Sequence, residues 1–296
     1  MNHLSDLSLT HIQPLSDTAP VVIGGIGGSG TRVVAQLLQC CDLNMGTDLN
    51  ESLDDLSFTA LFKRQALWPL AQHLPDLQEA LEVYLSCRGC PPEEAVDPAH
   101  HSARALNLIN KLAAETTWAD SGTLEERGQK LATMDPPPMA WGWKEPNSHI
   151  FLPYLLRALP NMKYVHVVRN GLEMAFSSNL NQLKLWGPSL LGRPVAEESP
   201  ENAFAYWCAV NERVLSLAAS STGRILILRF EELQRDPEAV VQDLLGRLGL
   251  SISEALYASW VSGLNVERRV RSRLPAFPLA IDDGQAEVLG RLGYKL

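Results

Sequence analysis

Apolar residues in this 296-residue chain gather in short runs, separated by longer stretches of helical spacing. Four runs, at 21–26, 139–144, 164–168 and 224–230, read as buried strands. Their alternation with helical patterns predicts an α/β fold: a mostly parallel sheet covered on both faces. The interval 48–138 carries no strand pattern. Its helical stretches at 55–74, 76–85 and 99–114 end in the breaker Asp135-Pro136-Pro137-Pro138. That predicts a helical insertion or cap inside one domain spanning 21–296, preceded by a polar arm over 1–20. Later helices announce their starts with Ser199-Pro200-Glu201 and Asp236-Pro237-Glu238, an N-cap followed by Pro at the first position. The second of these carries the stripe Val240, Val241, Leu244, Leu245 and Leu248 before Gly249. Residues 182–199, rich in Gly, Pro and Ser, read as a surface loop.

The first strand runs into Gly24-Gly25-Ile26-Gly27-Gly28-Ser29-Gly30-Thr31-Arg32, and a helical pattern follows at once. Strand, glycine turn and helix start together make an anion cradle: the backbone approaches closely and the helix N-terminus offers N–H groups. Gly25-x-Gly27-x-x-Gly30 satisfies the spacing of a dinucleotide fingerprint. That reading also needs a second strand ending in an acid about twenty residues on, and the segment after Cys40 makes a poor strand. A nucleotide hydrolase needs Lys then Ser or Thr after the last glycine, where this chain has Thr31-Arg32. The loop thus suits a phosphate while lacking the usual equipment for metal-assisted phosphoryl transfer. Lys144, Arg169 and Arg229 fall at the ends of the other three predicted strands, the edge at which parallel sheets bind ligands.

Four segments together resemble the sulfotransferases that use 3'-phosphoadenosine 5'-phosphosulfate (PAPS). Gly28-Ser29-Gly30-Thr31-Arg32 matches the family's loop after the first strand. The apolar run ending in Arg169, with Ser177 eight residues later, matches a second signature. Lys144-Glu145-Pro146 matches the Lys-x-Pro segment, and Arg229-Phe230-Glu231-Glu232-Leu233 the late strand-to-helix segment. The resemblance implies a P-loop-like three-layer fold in a soluble enzyme, with PAPS as sulfuryl donor and a hydroxyl, or second an amine, as acceptor. It implies that Gly27, Gly28, Ser29, Gly30, Thr31 and Arg32 hold the 5' phosphosulfate. Arg169 and Ser177 would take the 3' phosphate, and Lys144 the leaving bridging oxygen. Many relatives carry a basic residue where this chain has Gly28, so that role passes to Arg32, Lys144 or the backbone.

The family's general base is His or Glu, and in the Glu branch it lies about twenty residues beyond the loop, the place of Glu51 here. Asp48, Asp54, Asp55 and Glu145 compete with it. His149 and His166 are weaker candidates, since His166 falls inside a buried strand. The 182–199 loop is placed to gate the acceptor. A P-loop nucleotide kinase, or a non-catalytic protein binding 3',5'-ADP or another nucleotide, would share the loop and stay as alternatives.

Composition narrows the partners. A net charge of −9 argues against nucleic-acid binding. Basic residues still concentrate at 268–273, where Arg269, Arg271 and Arg273 share one face of an extended segment; they are either a solvated charge run or, as the resemblance implies, a late loop closing on the 3' phosphate. No apolar run is long enough to span a membrane and the N-terminus lacks a signal-peptide pattern, so a cytoplasmic location is expected. Five cysteines, an odd number, argue against a disulfide framework. Cys87-Arg88-Gly89-Cys90 has metal-like spacing and His100 and His101 follow, but there is no second Cys pair and prolines intervene; no metal is expected.

Overall fold

The computed structural model describes residues 12–92, 97–113, 115, 121–136, 138–267 and 279–295. Its sheet has four parallel strands, β1 (Val21–Gly25), β2 (Gly142–Lys144), β3 (Lys163–Val168) and β4 (Ile225–Arg229), in the order β2-β1-β3-β4. The register of β3 on β4 runs from Tyr164 beside Ile225 to Val168 beside Arg229. The α/β class expected from the sequence is the one observed. Strand β2 is shorter than the 139–144 expected, because Met139 lies fully exposed just after the proline run and only Trp141 onward is buried.

The helices, in chain order, are α1 (Thr31–Gln39), α2 (Leu56–Phe62), α3 (Leu74–Cys87), α4 (Pro98–Ala113), α5 (Ser121–Leu131), α6 (Ser148–Ala158), α7 (Gly171–Met174), α8 (Asn181–Leu191), α9 (Pro200–Ser220), α10 (Phe230–Arg235), α11 (Pro237–Leu248), α12 (Glu254–Glu267) and α13 (Asp283–Arg291). The chain divides into two compact units. Of the described residues, one holds those within Ile23–Leu43 and Lys163–Leu296; the other holds those within Leu4–Val22 and Asn44–Met162.

In the first unit, α7, α9 and α13 bury Met174, Phe204, Trp207, Val288 and Leu289 against Val168 at the end of β3. Asp282 caps α13 reciprocally with Gln285, which fixes where that helix begins. The stretch 182–199, expected as a loop, is helical to Leu191. Leu183, Trp186 and Leu190 recur on one face and are buried, which outweighs the Gly187-Pro188 interruption. Gly192, left-handed at φ 65°, ends that helix.

The second unit is helical around an aromatic core. Phe58 stacks on Phe62 at 4.3 Å and on Trp143 at 5.1 Å, and Tyr84 meets Trp143 edge-on at 5.3 Å. The helix expected over 55–74 stops at Phe62. Beyond it lie two short 3₁₀ turns, Gln65–Leu67 and Leu70–Gln72, separated by Pro69, whose ring removes a donor and fixes φ. Asp55 caps α2 by accepting from the Phe58 N–H.

Candidate active site

Strand β1 ends against β3 with no room for side chains. A Cβ on Gly25, at φ 151°, would lie 2.4 Å from the Val167 carbonyl oxygen. Gly30 is the N-cap of α1 at φ 97°, and a Cβ there would lie 2.3 Å from the Phe230 ring. Glycine is the one residue that fits both positions. Between them the Ser29 N–H donates to the Ile26 carbonyl at 3.0 Å. The Gly27 N–H donates to Gln182 Oε1 at 2.8 Å, and Gln182 Nε2 reaches the Gly25 carbonyl at 3.4 Å.

Among the described residues no protein acceptor takes the N–H of Gly28, Gly30 or Thr31. Ser29 Oγ is likewise buried without a hydrogen-bond partner. The first turn of α1 carries no acid and its N-cap makes no side-chain bond. The positive end of the helix thus keeps these donors unused by the described residues, a set whose chemistry matches a phosphate or sulfate. Of the expected loop residues, Gly27 and Ser29 are the exceptions as backbone donors, since their N–H groups are committed to Gln182 and to the Ile26 carbonyl. Arg32 projects to the surface from the first turn of α1.

The other cofactor candidates in this unit lie around the same loop and strand end. Ser177 Oγ, which accepts from the Asn179 N–H at 3.1 Å, lies 3.8 Å from where a Gly28 Cβ would stand. Arg169 leaves the end of β3 and its guanidinium meets Glu173 at 2.9 Å. Its carbonyl accepts from the Trp207 indole at 3.0 Å, and the next N–H, of Asn170, donates to Glu231 at 2.7 Å. Glu231 also accepts from the Tyr294 hydroxyl at 2.8 Å, so the backbone beside Arg169 is held from two sides. Arg229 is engaged elsewhere, bonded to Glu232 at 2.7 Å with its guanidinium over the Tyr294 ring. Arg269 and Arg271 lie outside the described residues.

In the second unit, β2 ends at Lys144, whose buried ammonium donates to the Ser52 carbonyl at 3.0 Å and pairs with Asp54. Asn50 organises the turn by accepting from the N–H groups of Ser52 and Asp54, each at 2.9 Å. Glu51 sits exposed on that turn. Asp48 is buried between Arg127 and Lys130. Asp55 is buried with Arg88 at 2.8 Å and the Tyr84 hydroxyl at 2.9 Å.

Glu145 differs from these acids. Its Oε1 accepts from Asn147 at 2.7 Å, while Oε2 is buried with no hydrogen-bond partner. Burial first, then the charge of Asp54, pushes its carboxyl up to about 7, against the pull of Asn147, Lys63 and Lys144. His166 is a core residue. Its ring lies between the Tyr164 hydroxyl and Asn211, and burial holds it down at about 4.

Cys87 is buried and donates to the Tyr84 carbonyl at 3.1 Å, and burial pushes the thiols of Cys87 and Cys90 up, away from the thiolate form. Among the described residues no metal-binding cluster forms, and no helix is long and apolar enough to cross a membrane.

The family model described as the sulfotransferase family matches residues 20–254. The chain belongs to that family. The match takes in the glycine loop, Lys144, Arg169, Ser177 and Arg229 alike. No curated protein matches the chain by sequence. Among solved structures it is similar to the sulfotransferase domain of the Synechococcus PCC 7002 olefin synthase, with 18% identity, 97% of each chain covered and a TM-score of 0.49. It is also similar to sulfotransferase STF9 from Mycobacterium avium, with 14% identity, 95% and 76% coverage and a TM-score of 0.49. Retinol dehydratase in complex with androsterone and the inactive cofactor PAP matches at 16% identity, over 90% and 69% of the two chains, with a TM-score of 0.40.

Gln182, Asn179 and Glu231 were not singled out as site residues by sequence reasoning. Gln182 lies five residues past Ser177 in what reads as a loop, and no local pattern marks its contact with Gly27, 155 positions away.

Proposed function

We propose that this sulfotransferase moves a sulfuryl group from PAPS to a hydroxyl acceptor by in-line displacement. The observation that carries the reading is the α1 terminus: the N–H groups of Gly28, Gly30 and Thr31 and the buried Ser29 Oγ, all without protein partners. They would hold the 5' phosphate and the sulfate oxygens, with Arg32 beside them. Arg169 and Ser177 would take the 3' phosphate through charge-assisted hydrogen bonds. Lys144, as the family resemblance implies, would meet the charge that develops on the bridging oxygen as the bond to sulfur breaks. A sulfuryl group is less charged than a phosphoryl group, so cationic side chains and backbone donors suffice for it. The kinase alternative finds less support, because Thr31-Arg32 stands where Lys and Ser or Thr would be needed.

The acceptor must also lose a proton. Glu51 is the family's expectation, but its carboxyl is exposed on a turn. Asp48, Asp54 and Asp55 are each committed to a cation. Glu145 keeps one carboxylate oxygen buried and unpartnered, oriented by Asn147, and titrates near the working pH of a base. We therefore propose Glu145 as the base, whose Oε2 would take the proton as the acceptor oxygen bonds to sulfur and the bridging oxygen leaves with 3',5'-ADP.

Calorimetry tests the donor assignment. The protein should bind 3',5'-ADP without metal, in preference to Mg-ATP. Arg169→Ala should weaken 3',5'-ADP by about tenfold to a hundredfold, from the ~1.5–3 kcal/mol typical of a hydrogen bond to a charged group, and leave 5'-AMP unchanged. Equal losses for both nucleotides would place Arg169 away from the 3' phosphate. Tight Mg-ATP binding with none for 3',5'-ADP would overturn the donor itself.

A further inference from the structure

We propose that Gln182 is a positioning residue that sets the glycine loop in its anion-binding form, an inference that rests on the donor reading above. Its amide bridges the loop on the protein side. Oε1 accepts from the Gly27 N–H and Nε2 donates to the Gly25 carbonyl, two backbone groups that flank Ile26. The side chain is 7% exposed and comes from the first turn of α8, anchored by the buried Leu183, Trp186 and Leu190. A firmly packed helix therefore holds the amide in place.

The consequence is a division of labour among the loop's donors. Gly27 is spent on the clamp and Ser29 on the turn to Ile26. Gly28, Gly30 and Thr31 keep their N–H groups for the ligand. Were Gly27 released, the peptide planes on either side of it would rotate, and a donor set fixed before binding would have to be ordered during binding, at an entropic cost. The same segment supplies a wall on the neighbouring glycines. Asn179 lies 2.8 Å and Ser177 3.8 Å from where Cβ atoms of Gly27 and Gly28 would stand. Residues 177–182 thus touch the 5' loop as well as carrying the serine assigned to the 3' phosphate.

Both ends of the amide are required, which makes the substitutions informative. Gln182→Met keeps the volume and loses both hydrogen bonds. Gln182→Glu keeps the acceptor, loses the donor and adds a negative charge behind an anion site. Because the clamp serves the loop and not the 3' phosphate, Gln182→Met should weaken 3',5'-ADP and 5'-AMP by the same factor, about tenfold for two hydrogen bonds. Gln182→Glu should lose more, and the excess should shrink as salt is raised. Hydrogen exchange gives a readout independent of any ligand: the Gly27 amide should be protected in the wild type and exchange faster in Gln182→Met.

Wild-type affinity for both nucleotides in Gln182→Met would overturn the proposal. So would a loss confined to 3',5'-ADP, which would put Gln182 at the 3' phosphate. If the wild-type protein binds neither nucleotide, the donor reading fails instead. The clamp is then judged by exchange alone, and an unprotected Gly27 amide in the wild type would refute it.

Discussion

Glu145→Gln is expected to lower turnover about 10²–10⁴-fold while leaving 3',5'-ADP affinity intact, the signature of a lost general base. The substitution keeps the shape of the side chain and its bond with Asn147, and removes the basic oxygen. In the wild type, turnover should rise with pH as the carboxyl, pushed up to about 7, ionises, and should level off above that. Asp54 raises this carboxyl while Lys63, Lys144 and the Asn147 hydrogen bond lower it, so Asp54→Asn should shift the limb to lower pH by removing a repelling charge. The rate loss in Glu145→Gln should shrink for an acidic phenol acceptor, which needs less help to lose its proton. Glu51→Gln should turn over nearly normally. A dead Glu51→Gln beside a normal Glu145→Gln would return the role to the exposed turn.

The same carboxyl has a stability consequence of definite sign. Its folded value lies above the ordinary 4.5, so between those two values the folded state holds more protons than the unfolded chain. Stability falls as pH rises through that window and stays lower above it. Glu145→Gln should therefore be the more stable protein at pH 8, and match the wild type at pH 4.

Arg88→Ala should destabilise the helical unit by about 3–5 kcal/mol, because it strands a buried carboxylate. Asp55 is 2% exposed and Arg88 4%. The guanidinium bonds Asp55 at 2.8 Å, the Asn44 carbonyl at 3.0 Å and the Gly142 carbonyl at 3.1 Å, and it lies over the Tyr84 and Trp141 rings. One side chain thus ties the N-cap of α2 to α3 and to β2. The damage should extend to Lys144, whose carbonyl accepts from the Asp55 N–H at 2.8 Å. Domains are commonly stable by about 5–15 kcal/mol, so the loss should show as a large shift in the urea midpoint. Replacing both partners, as Arg88→Met with Asp55→Asn, should recover part of it, since no unpaired charge is then buried. A cost below about 1 kcal/mol for Arg88→Ala would mean that the pair is solvated in the working protein.

What could be read from the sequence is what local chemistry fixes. The glycine loop is a run of adjacent residues whose backbone demands are written in their lack of a Cβ, and β1, β3 and β4 are short, mostly apolar runs. The N-caps Ser199 and Asp236 likewise act within one turn of themselves. The missed features depend on distant partners. Helix α8 follows from burial of Leu183, Trp186 and Leu190, which outweighs Gly187-Pro188. Likewise, the acids near residue 50 look alike in sequence. Arg127, Lys144 and Arg88 claim Asp48, Asp54 and Asp55 from 79, 90 and 33 positions away, and that separates them from Glu145.

The most direct test of the account is transfer itself, measured with PAPS, a panel of sugar, lipid, phenol and peptide hydroxyl acceptors, and EDTA present. The account predicts sulfated product and 3',5'-ADP in equal amounts, with no dependence on divalent metal. Phosphoryl transfer from ATP once Mg²⁺ replaces the EDTA, with no 3',5'-ADP released from PAPS, would contradict it.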